Sequence, residues 1–184
     1  MSSGDESLWM RVIDKYYADN PPLRDLLLLH SRLVADKALA IVDAHPELGA
    51  DRGFTEEAAM LHDIGIFLTD AEPVHCHGNN HYICHGYLGA ELLRSEGLPR
   101  HALVAERHTG TGLTLKQILE RNLPVPHREM VPVSVEEKVI CFADKFFSKT
   151  NPEVEKTPEQ AERSLAKFGQ EGVLIFRQWC QEFL

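Results

Sequence analysis

Leu61-His62-Asp63-Ile64-Gly65 is the stretch from which the rest of this chain is read. It sets an imidazole, a neutral nitrogen ligand, beside a carboxylate that can bridge two metal ions. The preceding Phe54-Thr55-Glu56-Glu57-Ala58-Ala59-Met60 predicts a helix with Phe54 as a staple residue, Thr55 as N-cap and two acids in its first turn. Ile64-Gly65 reads as its end. His62 follows Ala58 and Ala59 at i+4 and i+3, small residues over which another helix can come close. Asp63 then points about 100° away around the helix. A metal ion in the wedge between the two side chains, near the helix end, can reach both. Any chain rich in His and Asp contains the dipeptide by chance, so its meaning depends on whether further ligands converge on it.

Upstream, residues 7–19 predict a short amphipathic helix with Leu8, Val12 and Tyr16 on one face. Asn20-Pro21-Pro22 ends it and starts a second helix that runs to about His45. Its apolar row is Leu23, Leu27, Val34, Ala38 and Ile41, and His30 interrupts that row, three past Leu27 and four before Val34. Taken alone, His30 is a core histidine satisfied by a backbone carbonyl.

Downstream, residues 66–82 read as irregular, with His75, Cys76, His77 and His81 close together. Helical pattern resumes from Ile83 to about Glu96, with His85, Leu88 and Leu92 at i, i+3 and i+7. A short helix from about Arg100 to His108 places His108 over Val104 and Ala105, repeating the arrangement at His62, and Thr109-Gly110-Thr111-Gly112 follows as a flexible loop. Thr114 and Gln117 form a capping box for a two-turn helix, and Pro124, Pro126 and Pro132 punctuate a connector. Ser134-Val-Glu-Glu137 opens a helix whose buried row is Ile140, Cys141, Asp144 and Phe147. An uncompensated carboxylate at Asp144 is costly to desolvate, so a metal or strong donor is expected there. Thr157-Pro158-Glu-Gln160 caps the next helix, and a last helix from about Glu171 carries Leu174, Ile175, Trp179 and Phe183. No segment reads as a strand, so the expected fold is an all-α, single-domain helical bundle.

The length of 184 residues suits one domain with a substantial core. The net charge of -9 argues against extended nucleic acid as the main partner, though not against a small phosphate ester held by bound metals. Cys76, Cys84, Cys141 and Cys180 form no Cys-x-x-Cys pair, and Met1-Ser-Ser-Gly-Asp-Glu lacks the basic and apolar parts of a leader. No apolar run approaches the roughly 18 residues of a membrane span. The expectation is a cytoplasmic protein with reduced thiols and no membrane partner.

His30, His62, Asp63, His85, His108 and Asp144 all interrupt apolar helix faces, and independent accidents explain six imidazole or carboxylate interruptions poorly. Four histidines and two carboxylates suit two divalent transition-metal ions, Fe or Mn first, with Zn, Co or Ni as alternatives to them, better than Mg or Ca. With these residues in view, the chain resembles the HD superfamily of metal-dependent phosphohydrolases over roughly residues 23–150. The mononuclear core of that superfamily corresponds to His30, His62-Asp63 and Asp144. The additional His85 and His108 resemble the subset with two metals, including bacterial diadenosine tetraphosphate hydrolases and cyclic-dinucleotide phosphodiesterases. The latter carry a lysine shortly after the His-Asp pair and a Gly-Tyr-Pro segment, whereas Ile66 follows Gly65 here and no such segment occurs, which disfavours cyclic di-GMP.

The resemblance implies one HD-type domain over 1–184, with the metal-binding core at about 23–150 and the C-terminal helices 158–184 packed on it. It implies hydrolysis of a phosphoester or phosphoanhydride in a small, nucleotide-like substrate by a metal-bridged hydroxide, with Asp63, His62 and Asp144 as catalytic residues. Di-iron oxygenases of the same fold share these ligands, and a non-catalytic nucleotide-binding module is the third reading. For the substrate, the candidates are Arg107, Thr109 and the loop after it, Lys145 and Lys149, with His77 and His81 as an acid or phosphate donor. Two readings stand for His75, Cys76, His77, His81 and Cys84: a wall of the pocket, which is the expectation here, or a separate zinc site.

Overall fold

Asn20 is the joint between the first two helices because its side chain accepts the Leu23 amide while Pro21 and Pro22, which need no amide partner, start the next turn. The computed structural model describes residues 7–184, so Met1–Glu6, read above for the lack of a leader, lies outside them. The helices are α1 (Leu8–Tyr17), α2 (Pro21–Ala44), α3 (Arg52–Leu61), α4 (His85–Ser95), α5 (Pro99–Glu106), α6 (Leu115–Glu120), α7 (Val135–Asp144), α8 (Pro158–Ala166) and α9 (Gln170–Phe183). All three expected capping boxes form, at Thr114, Ser134 and Thr157. The architecture is the all-α bundle expected, and no helix among the described residues is long and apolar enough to cross a membrane.

One boundary and one element differ from the sequence reading. α3 begins earlier than expected, because Asp51 rather than Thr55 caps it by accepting the Phe54 amide. Thr55 is inside the helix and buried, its hydroxyl donating to the Asp51 carbonyl. Between α3 and α4 the chain makes 3₁₀ turns and a two-residue antiparallel ribbon, β1 (Asp70–Ala71) and β2 (Cys76–His77), where no strand was expected.

The core lies in two main clusters. One joins α2, α3, α7 and α9 around Phe142, which contacts the rings of Phe146, Phe176 and Phe183 at 5.0, 5.2 and 5.4 Å between centroids. The other joins α1, the first half of α2, the turn after α3, and α4. α2 buries the expected row entirely, but α1 buries Val12, Ile13 and Tyr17 rather than Leu8 and Tyr16. α9 buries Val173, Phe176, Trp179 and Phe183, leaving Leu174 exposed. In both helices two apolar faces compete, and the neighbour decides between them. α4 differs most, because it turns Gly86, Gly89 and Ala90 inward while Leu88 and Leu92 stay half-buried.

Those glycines matter because α4 meets the turn after α3 backbone to backbone. A Cβ on Gly65 would lie 2.3 Å from the His85 carbonyl oxygen and 2.5 Å from the Gly89 amide nitrogen. Gly65 therefore serves close approach, since its φ of -84° is open to any residue. From α1, the buried Tyr17 hydroxyl donates to the Ile64 carbonyl at 2.7 Å and pins the same turn.

Gly65→Ala is expected to destabilise the protein by about 3 kcal/mol or more, because neither clashing atom is a side chain that can turn away. Tyr17→Phe, which leaves the buried Ile64 carbonyl without that donor, is expected to cost about 1–3 kcal/mol. Urea denaturation of the two variants checks both figures, and neutral behaviour of Gly65→Ala would contradict the packing account.

Candidate metal centre

Three helices end at one place. His62 caps α3, Asp63 follows it, His108 lies two residues past α5, and Asp144 is the last residue of α7. His85 opens α4, and His30 alone comes from the middle of a helix. Each converging C-terminus carries roughly half a negative charge on its free carbonyls, which favours a cation in the space between them.

The imidazoles are oriented by their own chain. His62 Nδ1 lies 2.6 Å from the Ala59 carbonyl, His85 Nδ1 2.6 Å from that of Tyr82 and His108 Nδ1 2.7 Å from that of Ala105. A carbonyl only accepts, so in each ring the Nδ1 proton is donated and Nε2 is left facing the site. The repeated i−3 contact is the outcome of the helical spacing noted at His62 and His108.

Around the Asp63 carboxylate the ligands divide into two groups that could each hold a metal ion: His30, His62, Asp63 and Asp144, and Asp63, His85 and His108. Asp63 Oδ2 lies 3.2 Å from His30 Nε2 and 3.1 Å from His62 Nε2, while Asp144 Oδ1 lies 3.0 and 3.4 Å from the same nitrogens. Asp63 Oδ1 lies 3.4 Å from His85 Nε2 and 3.2 Å from His108 Nε2. One carboxylate thus offers a different oxygen to each group.

The donor set fits divalent metal. His85 Nε2 and His108 Nε2 stand 3.1 Å apart, both as lone pairs, and both face a carboxylate oxygen. Burial lowers the His85 pKa to about 3 and lowers that of His108, so at neutral pH no proton separates them. Acceptors packed this way need a cation between them. In the other group burial acts to lower the His62 pKa, yet the charges of Asp63 and Asp144 outweigh it and lift it to about 10. Its Nε2 has no hydrogen-bond partner. Burial likewise acts to raise Asp63 and Asp144, but His62 and Lys149 hold the first, and Lys145 and His30 the second, well below the usual carboxylate range.

A cavity of about 600 Å³ opens from His85, His108 and Asp144. Of the sequence candidates for substrate contact, His81, Thr109 and Lys145 line it, together with Lys149. Lys145 Nζ donates to Asp144 Oδ2 at 2.7 Å and to the His108 carbonyl at 2.9 Å, and Lys149 Nζ lies 2.7 Å from Asp63 Oδ2. Two other candidates lie elsewhere. Arg107 is paired with Glu137 at 2.9 Å and does not line the cavity, because the helix turn that aims His108 inward aims its neighbour at α7. His77 sits on β2, more than half exposed and 3.0 Å from Glu72, also outside the cavity. Tyr82, Arg121, Lys156 and Phe168 line the cavity without having been foreseen. Nothing in their local pattern separates them from ordinary surface or core residues. Among the described residues, the cysteines and histidines of 75–84 form no third group of converging ligands.

The HD domain family matches residues 27–148, and the chain belongs to that family. Divalent metal binding is a property of HD domains, in accord with the two groups above. The chain is 32% identical over 145 residues to a tRNA (cytidine(56)-2'-O)-methyltransferase of Picrophilus torridus, matching 78% of this chain but 36% of that protein. It thus spans about a third of the length of that relative. An uncharacterized protein of Methanocaldococcus jannaschii is 32% identical over 139 residues, which is 74% of this chain and 73% of that one. The solved HD domain of the Listeria monocytogenes phosphodiesterase PgpH superposes with a TM-score of 0.57 at 20% identity, covering 91% of this chain and 93% of that one, and shows the same fold.

Protein reconstituted with Mn²⁺ or Fe²⁺ is expected to hold two ions per chain by elemental analysis. His85→Ala should retain one of them, and Asp63→Ala should disturb both. A single ion in the unaltered protein at saturating metal would contradict the two-group geometry.

Proposed function

We propose that this protein is a metal-dependent phosphohydrolase that cleaves a phosphoester or phosphoanhydride in a small, nucleotide-like substrate. The observation that carries the reading is the Asp63 carboxylate, whose two oxygens each face a separate pair of imidazole nitrogens. His30, His62, Asp63 and Asp144 would hold one divalent ion, and Asp63, His85 and His108 the other, with Fe or Mn favoured by the donor set. Such ions polarise a phosphoryl oxygen and bring the pKa of water toward neutrality. Membership of the HD family supports hydrolysis at this general level, and the six-residue set favours the subset similar to diadenosine tetraphosphate hydrolases.

The chain's own groups complete the chemistry. Lys145 and Lys149 are ammonium groups at the mouth of the cluster, where burial works against their charge but Asp144 and Asp63 keep their pKa values raised. They can neutralise a phosphate that enters beside them. His81 Nδ1 accepts the Ile83 amide at 3.2 Å, so its Nε2 is free to donate to a phosphoryl or leaving-group oxygen. Asp144, tied to both His30 and Lys145, orients ligand and phosphate donor together.

Phosphate release from a panel of nucleotides, dinucleoside polyphosphates and phosphomonoesters tests the reading. Asp144→Ala and His62→Ala are expected to lose at least about 100-fold in turnover, since removing even the partners of ligands costs about 10–100-fold, while circular dichroism shows them folded. Substrate-dependent oxygen uptake with a mixed-valence iron signal would replace hydrolysis by oxygenation. Nucleotide binding at full metal occupancy without product would leave a binding module.

A further inference from the structure

The cavity is larger than a phosphoryl group requires. At about 600 Å³ it falls among the sites that enclose whole small ligands, about 300–1,000 Å³. Its inner end is polar, with His85, His108, Asp144, Lys145 and Lys149. Toward its outer end Leu113, Leu123, Leu165 and Phe168 share the lining with Gln117 and Arg121.

Part of that outer wall comes from residues beyond the matched family segment, which ends at 148. Lys156, Ser164, Leu165, Phe168 and Gly172 belong to the hairpin of α8 and α9 and the segment leading into it. The hairpin is fixed against the site loops at several points. The Lys156 amide donates to the Phe146 carbonyl at 2.8 Å, Arg121 donates to the Phe168 carbonyl, and Gln117 donates to Glu171 at 3.2 Å. At Gly172 α9 packs closely on the loop after α5, for a Cβ there would lie 3.3 Å from Thr111 Oγ1. Phe168 is nevertheless 68% exposed at the rim of this wall, and it stacks on no other ring among the described residues.

We propose that residues 156–172 form a base-binding pocket in which a planar heteroaromatic ring of the substrate stacks on Phe168, between Leu165 and Leu123, while its phosphate faces Lys145 and Lys149. This rests on the phosphohydrolase reading and names its substrate class: a nucleoside phosphate rather than a sugar or alkyl phosphate. The occupant follows from continuity, since a single cavity joins cationic groups and metal ligands at one end to an uncovered aromatic ring at the other. Phe168 is then a specificity-determining residue with no part in metal binding.

The test is calorimetric titration of the manganese-loaded protein with the four nucleoside 5′-monophosphates, ribose 5-phosphate and inorganic phosphate, with phosphate release followed in the same samples. The best nucleotide is expected to bind about tenfold tighter than ribose 5-phosphate, the order of one base–aromatic stack. Phe168→Ala should bring the two within about twofold of each other, with affinity for inorganic phosphate and the metal content unchanged, and Phe168→Trp should restore the preference. Equal binding of nucleotides and ribose 5-phosphate by the unaltered protein overturns the proposal, as does a Phe168→Ala variant that weakens every probe alike. Phosphate release without base preference would sink the pocket and leave the hydrolase reading. Base preference without phosphate release from any ester would do the reverse.

Discussion

The Asp63 carboxylate is wholly buried and sits among four imidazole nitrogens, and the surrounding structure can be understood as the means of making that position tolerable. An isolated carboxylate in an apolar interior neutralises itself by taking a proton. Here the neighbours prevent it, because His62 and Lys149 hold the carboxyl well below its ordinary range against the effect of burial. The negative ends of α3, α5 and α7 press further charge of the same sign on the site. Carboxylates, carbonyl ends and lone pairs together make a pocket that attracts divalent cations.

Holding so many polar groups together demands close packing of backbone, and small residues provide it. Gly65 and Gly89 let α4 press on the turn after Asp63, and Gly86 lets α4 lie against the last turn of α5, where a Cβ would come within 2.9 Å of the Ala105 carbonyl oxygen. Ala105 is also the residue whose carbonyl orients His108. The glycines therefore act on ligand geometry through the backbone. Tyr17 completes the arrangement from outside the matched family segment, tying α1 to the turn that carries Asp63.

Cys141 shows how the same economy extends to the cavity. Its buried thiol lies 3.4 Å from the His108 carbonyl and 3.3 Å from that of Gly110, so α7 steadies both the last ligand of α5 and the glycine loop that lines the cavity. Burial raises that thiol to about 12, which keeps it protonated and inert. Lys145, one turn later and just past the end of α7, donates to the same His108 carbonyl and to Asp144. One helix and its cap thus set the Asp144 carboxylate, the Lys145 ammonium and the loop opposite in a common frame.

Much of this was present in the order of residues. The three capping boxes, the row of α2 and the six polar interruptions of apolar faces are local patterns, set by side-chain chemistry and a period of about 3.6 residues, and the structure brings all six polar residues together. Other features had no local sign. Whether Leu174 or Phe176 faced inward depended on where Phe142 stood, and the inward face of α4 carried Gly86, Gly89 and Leu93 rather than the expected Leu88 and Leu92. Arg107 and Lys145 both adjoin a ligand, yet helix direction sends one to Glu137 and the other to the cavity. Phe168 reaches that cavity from a segment remote in sequence. The sequence by itself singled out the residues with metal-ligand chemistry, because that is a property of composition and spacing, although His62, Asp63 and His108 stand just past their helices. The tertiary structure alone decided which neighbours share a cavity, because that depends on backbone approach between elements far apart in the chain.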